Sequence, residues 1–134
     1  MSKKLNVPHQ TSTNLMERNL GCWQGKEIST LKMLPQYHEL LNQVTSLTVK
    51  NSESALACGQ RILYTLQQLA TEHLGENILI IFHGEALRCL LYLLGQTQTS
   101  NAFNLYKNGC IIAVDFHSKA PYFTFTEIEA VQNV

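Results

Sequence analysis

The sequence has no charge excess of either sign: ten Lys and Arg balance ten Asp and Glu over 134 residues. That balance removes any general attraction to nucleic acid or to an anionic membrane surface, so a charged ligand must be drawn by a local arrangement. It also lacks an apolar run near the roughly 20 residues that a membrane span requires. The run that begins at Ile78 meets His83 directly after Phe82, and the leucine-rich stretch behind it stops at Gly95. Met1, Ser2, Lys3 and Lys4 open the chain with charge but no apolar stretch follows, so no signal peptide is read. No C-x-x-C pair occurs. Cys22, Cys58, Cys89 and Cys110 are scattered, which excludes a zinc or dense disulfide framework and leaves reduced thiols in a cytoplasmic protein as the expectation. The five histidines lack metal-ligand spacing, so neither a metal nor a cofactor is expected. Without repeats, linkers or low-complexity tracts, and with 45% hydrophobic residues, the chain reads as one globular domain over 1–134.

What is present centres on residues 77–95. Ile78, Leu79, Ile80, Ile81 and Phe82 form a continuous apolar run too short for a lone helix, whereas Leu87, Leu90, Leu91 and Leu94 recur at a helical period. The pattern predicts a strand, a sharp turn at His83 and Gly84, and a helix. A run without polar alternation suits a strand covered on both faces, as in a parallel sheet flanked by helices. In such sheets ligands bind beyond the carboxyl ends of the strands, and free N–H groups at a helix N-terminus favour anions, phosphate above all.

In chain order, residues 1–14 are polar and read as an extended arm. Gly21 and Gly25 flank the only tryptophan, Trp23, behind the adjacent Glu17 and Arg18, which reads as a shaped loop. A helical period over 26–34 is broken by Pro35, and a further helical piece is expected over 37–47. The clearest helix follows Ser52, Glu53 and Ser54. Its expected face is Leu56, Gly59, Ile62, Leu63, Leu66, Leu69, Ala70 and His73, with a serine N-cap, Glu53 in the first turn and Gly75 just past the end. Residues 96–107 read as a polar connector. Asn108-Gly109 signals a turn, and strands are expected over 110–116 and 122–128, paired antiparallel.

Two of these stretches together resemble the histidine phosphatase superfamily, the phosphoglycerate-mutase-like proteins. Leu15-x-Glu17-Arg18-x-x-Gly21-x-x-x-Gly25-Lys26 is similar to the loop that carries the acid/base glutamate in the mutases, the fructose bisphosphatases and related broad-specificity phosphatases. Residues 78–95 look like the second-histidine strand, turn and helix, with Arg88 where the family commonly has an arginine. Glu53-Ser54 and Arg61 fit the G-E-S and following arginine of the preceding helix, and Asn108-Gly109 fits the entry to a late strand. The resemblance covers roughly 15–116.

The resemblance implies a three-layer α/β/α phosphoglycerate-mutase-like sheet. It gives His83 the role of stabilising phosphoryl charge and Glu17 that of proton donor to the leaving oxygen. Arg18, Lys26, Gly84 and Glu85 are the candidate phosphate-binding positions. Their ordinary alternatives are a loop carboxylate for Glu17 and surface charges for Arg18 and Lys26; Arg61 and Arg88 are expected to be structural ion-pair partners, and Trp23 a packing residue. Phe82 stands where the family commonly has a small hydroxyl residue. The family's nucleophile is a histidine in an R-H-G motif, and no such tripeptide occurs here; His9, behind Pro8, is read as a loop residue. The expectation is therefore a truncated domain lacking the first βαβ portion and phosphohistidine catalysis, binding a phosphorylated small molecule or an oxyanion at His83-Gly84. Two other readings stand beside it: an active phosphomonoesterase with a substitute or partner-supplied nucleophile, and a structural dimer with no ligand. In the family the absent first strand pairs beside residues 78–82, so the resemblance implies an open apolar edge there unless the amino-terminal arm or a second chain covers it; a homodimer or a swapped arrangement through that edge is expected, with no nucleic-acid or membrane partner.

Overall fold

A computed structural model describes residues 2–96, 108–119 and 122–129. Its helices are α1 (Ser2–Leu5), α2 (Ile28–Leu31), α3 (Tyr37–Asn42), α4 (Ala55–Glu72) and α5 (Gly84–Leu93). Short 3-10 turns cover Thr13–Leu15 and Gly21–Trp23, and β1 (Ile111–Phe116) pairs with β2 (Phe123–Glu129). The expected connector at 97–107 lies outside the described residues.

The long helix forms where its periodicity places it. Ser54 is its N-cap, accepting from the Ala57 N–H at 3.1 Å, so Glu53 sits before the helix rather than in its first turn. Its end is at His73, with Gly75 beyond in a left-handed conformation, φ +79°. The buried line runs through Ala55, Cys58, Gly59, Ile62 and Thr65, with Leu56, Leu63 and Leu66 half-buried beside it. That line is rotated from the expected face because α5 packs against Gly59. A Cβ there would lie 2.7 Å from the Cys89 carbonyl oxygen and 2.9 Å from Leu93 Cδ1. Thr65 tolerates burial because its hydroxyl donates to the Arg61 carbonyl at 2.9 Å.

Around this crossing lies one core cluster: Val44, Ala55, Cys58, Ile62, Ala86, Cys89 and Leu90, with Leu15 and Phe82 packed on it. A second cluster gathers Trp23, Leu31, Leu40 and Leu41 under the loop that follows Glu17, so Trp23 packs as expected. The two middle helices are single short pieces, four and six residues, where longer ones are expected. Pro35 separates them, and isolated turns of that length persist only where tertiary packing holds them, here through Leu31, Leu40 and Leu41.

The hairpin confirms the antiparallel expectation within a residue at each strand's start. Its register runs from Ile111 opposite Glu129 to Phe116 opposite Phe123, with a bulge between Ala113 and Val114. The turn is closed by the His117 N–H donating to the Tyr122 carbonyl at 2.7 Å.

The expected strand before His83 is corrected. Residues 77–82 form neither helix nor strand, and no backbone hydrogen bond ties them to another described residue. Ile78 is 43% exposed, Leu79 70% and Ile81 74%, while Ile80 and Phe82 are half-buried. The segment therefore has one covered face and one bare one: Phe82 rests on the first cluster, and among the described residues nothing lies over Leu79 and Ile81. An apolar run becomes a two-sided buried strand only when neighbours supply both the ladder and the second layer.

Candidate functional site

The site elements meet at the N-terminus of α5. Glu17 is exposed at the start of the glycine-bearing loop, but its carboxylate is not idle. Oε1 accepts from the N–H of Ala86 at 2.9 Å and of Arg18 at 2.8 Å, and Oε2 accepts from the Glu85 N–H at 3.3 Å. Glu17 thus occupies, as an anion, two of the free N–H groups in the first turn of α5. His83 is the N-cap residue of the same helix and is exposed, and Gly84 is the first helical residue. The fold brings Glu17, His83, Gly84 and Glu85 to one helix end. Lys26 stays exposed in the loop beyond Trp23.

Arg18 points the other way. It is 3% exposed, with Nη1 donating to the Leu40 carbonyl at 2.7 Å and to Glu85 Oε1 at 2.9 Å, and Nε to the Glu53 carbonyl at 3.1 Å. The Glu85 side chain is equally committed. Besides Arg18 it takes Arg88 on both oxygens, Nε to Oε2 at 2.9 Å and Nη2 to Oε1 at 2.7 Å. Arg88 is fully buried and also donates to the Gln43 carbonyl at 3.3 Å. Two guanidinium groups around one carboxylate form a charge-assisted network whose members are useful only together. Arg88 is the structural ion-pair partner that the sequence suggests.

A second network holds the other side of the loop. Arg61 forks onto Glu53, with both nitrogen-to-oxygen distances 2.8 Å, and Nη1 donates to the carbonyls of Asn14 at 2.6 Å and Met16 at 3.1 Å. The Arg61 hydrogen bond holds the Glu53 carboxyl below its usual range against a burial effect that raises it. The Glu53 hydrogen bond likewise raises Arg61. Glu17 is therefore set between two arginines that fix the backbone on either side of it. The sequence suggests Arg61 as an ion-pair partner; its grip on the carbonyls of Asn14 and Met16 has no sequence signal, because nothing in a pattern ties residue 61 to a backbone more than forty positions away.

Gly21 explains why the loop takes this shape. Its φ is +55°, and a Cβ on it would lie 2.3 Å from the Lys50 carbonyl oxygen and 2.5 Å from the Ser52 nitrogen. The adjacent Cys22 N–H donates to that same Lys50 carbonyl at 3.0 Å, and the Glu53 N–H donates to the Asn19 carbonyl at 2.8 Å. Only glycine allows this approach. Between the loop and α4 lies an open cleft of about 370 Å³, lined among others by Met16, Glu17, Asn19, Glu53 and Arg61, and His83 is not among its lining residues.

Beneath the helix end, Cys58 and Cys89 are free, fully buried thiols. A hydrogen bond with Cys58, together with burial, pushes the Cys89 thiol above its usual range, so it remains a neutral packing group. Among the described residues no cluster of His, Cys, Asp and Glu is arranged to hold a metal ion, and no helix is long and apolar enough to cross a membrane.

The loop, the long helix and the helix end stand in the order described for one family, and a model of that family decides the matter: the histidine phosphatase superfamily (branch 1) matches residues 1–128. The chain belongs to the histidine phosphatase superfamily. The match is wider than the 15–116 stretch over which the resemblance is read, and it takes in the hairpin through most of β2. Superfamily membership implies an α/β fold, and the five helices and the two-stranded sheet are consistent with part of one. No curated protein and no solved structure matches the chain.

Proposed function

We propose that this chain is a non-catalytic member of the histidine phosphatase superfamily. In this reading the domain is of the three-layer phosphoglycerate-mutase kind. The single observation that carries the proposal is the seat of Glu17: its carboxylate lies on the N–H groups of Glu85 and Ala86, where a phosphoryl oxygen would otherwise be received. Three further facts support it. Arg18 spends its guanidinium on two carbonyls and on Glu85, inside the protein. The Glu85 carboxylate is taken by two arginines, so only its backbone N–H faces the helix end. And no Arg-His-Gly tripeptide occurs in the 134 residues, whereas phosphohistidine chemistry needs an activated nucleophile placed in line.

What remains is a small oxyanion seat. The exposed His83 ring and the Gly84 N–H receive an oxyanion or a phosphorylated small molecule, with Glu17 as the internal competitor for the next two N–H groups. The test is turnover of a generic aryl phosphate by the purified protein beside His83→Ala and Glu17→Ala. No turnover above a buffer blank is expected from any of the three. Turnover that both substitutions abolish overturns the proposal and selects a working phosphomonoesterase.

A second reading, in which another polypeptide completes the site, is favoured by the bare face of Leu79 and Ile81 beside His83. Phosphatase activity that appears only in a complex with a second protein selects that reading.

A further inference from the structure

A cysteine in a core packs as a small hydrophobe, yet two of them in contact hold a chemistry that no other apolar pair has, because a covalent bond can join them. Cys58 on α4 and Cys89 on α5 are both 0% exposed and belong to one core cluster. A hydrogen bond links their thiols. They meet where the two helices come closest: Gly59 follows Cys58, and a Cβ on it would stand 2.7 Å from the Cys89 carbonyl oxygen and 3.0 Å from the carbonyl carbon. A disulfide requires Cα atoms within about 7 Å, and a glycine at the crossing is what lets two helices come in that far.

The two sulfurs differ in their surroundings. Arg61 Nη2 donates to Cys58 Sγ at 3.5 Å, and Arg61, a quarter exposed, lines the open cleft beside Glu17. A swing of that one side chain opens a path from the cleft to Cys58. Positive charge beside a sulfur also supports attack by it. Cys89 donates instead to Glu85 Oε1 at 3.9 Å, and neither of those residues lines the cleft.

We propose that Cys58 and Cys89 are a redox modification site that closes to a reversible disulfide on reaction with a peroxide, Cys58 attacking first and Cys89 resolving. With hydrogen peroxide, the Cys58 sulfur attacks one oxygen, the O–O bond breaks, the sulfur keeps a hydroxyl as a sulfenic acid, and the thiol proton leaves with the other oxygen as water. The Cys89 sulfur then attacks the Cys58 sulfur. The S–S bond forms, the S–O bond breaks, and the hydroxyl departs with the Cys89 proton as a second water. Two thiols have lost two electrons and two protons, and one peroxide has taken them. The bond ties the helix that carries Arg61 to the helix that carries Glu85, the two whose side chains and N–H groups hold the Glu17 loop. Neither the oxyanion seat nor the absence of catalysis bears on it.

The experiment treats dilute, folded wild-type protein with a slight excess of hydrogen peroxide, alkylates the remaining thiols after unfolding, and maps the peptides by mass spectrometry before and after a dithiol reductant. The expected result is a peptide pair joined through Cys58 and Cys89, two hydrogens lighter than the sum of its parts and separated again by the reductant. Both thiols still open to alkylation overturn the proposal, as does a bridge from either of them to Cys22 or Cys110 in its place. So does the same mixture of pairings from folded and urea-unfolded protein, since the crossing would then not be what selects the pair. The order of attack has its own test, with circular dichroism checking that each variant folds. Cys89→Ala should leave a Cys58 sulfenic acid that dimedone traps, and Cys58→Ala should leave Cys89 a free thiol. The reverse pattern, or no adduct from either, overturns the assignment of Cys58 as the attacking sulfur.

Discussion

Two stretches meet at His83 and are built on opposite terms. After it, the start of α5 is held by charge: Glu17 on the helix N–H groups, Glu85 between Arg18 and Arg88, and each carboxylate with at least two donors. Before it, residues 78–82 have apolar side chains and a backbone that no described residue engages. The comparison teaches that the polar groups around the start of α5 find their partners within the domain, whereas the apolar run is matched on one face only. Directional partners fix a geometry by themselves; a non-directional apolar face accepts whatever covers it.

The sharpest way to break the charged side is Arg18→Met. It removes three donors from a buried position and leaves Glu85 with Arg88 alone, and losing one partner of a buried ion pair typically costs about 3–5 kcal/mol. Urea unfolding should show a loss of that order. A cost below about 1 kcal/mol would mean that the network is replaceable by apolar packing, as some buried ion clusters are.

Next in size are the glycines that let the charged elements approach. Alanine for glycine in a helix interior ordinarily stabilises by about 0.5–1 kcal/mol. At Gly59 the sign reverses, because the new methyl would lie 2.7 Å from the Cys89 carbonyl oxygen, and overpacking of this kind costs about 1–3 kcal/mol. Gly21→Ala should cost more, since a backbone oxygen at 2.3 Å and a positive φ both oppose it. Thermal unfolding of the two variants checks the order.

These effects show how far the sequence could be read. The long helix, α5 and the hairpin announce themselves through periods of 3.6 and 2 and through Ser54 and Asn108-Gly109, and the ion-pair roles of Arg61 and Arg88 follow from their place on helices. What periodicity misses is what long-range contact decides. It does not show that Thr65 is inside, because that depends on a hydroxyl turned back to Arg61. Nor does it show that Glu17 reaches Ala86, since the two are 69 positions apart and no local rule couples them. The strand at 78–82 is misread for the same reason: hydrophobicity says that a segment wants cover, and only the rest of the fold says whether cover is present.

A smaller effect is carried by pH through the Glu53–Arg61 fork. The Glu53 carboxyl titrates below its usual value of 4.5, so its stabilising contribution is complete above that value and is lost as the pH falls through the lower folded one. Both side chains are about a quarter exposed, which screens the pair and keeps the effect modest. Glu53→Gln should therefore lower stability at neutral pH and flatten the acid branch of the stability curve below pH 4.5. Equal slopes for wild type and variant over that branch would remove the fork from the account of how the Glu17 loop is held.

The smallest expected effect is the most telling for the apolar side. In dilute protein, where any assembly has dissociated, Ile81→Lys should change the unfolding free energy by less than about 0.5 kcal/mol, as for a surface position. The side chain is 74% exposed, so there is little packing to lose. An effect of about 2 kcal/mol already present at high dilution would be the cost of a core position, and would mean that the contrast across His83 is one of covering element rather than of covered and bare.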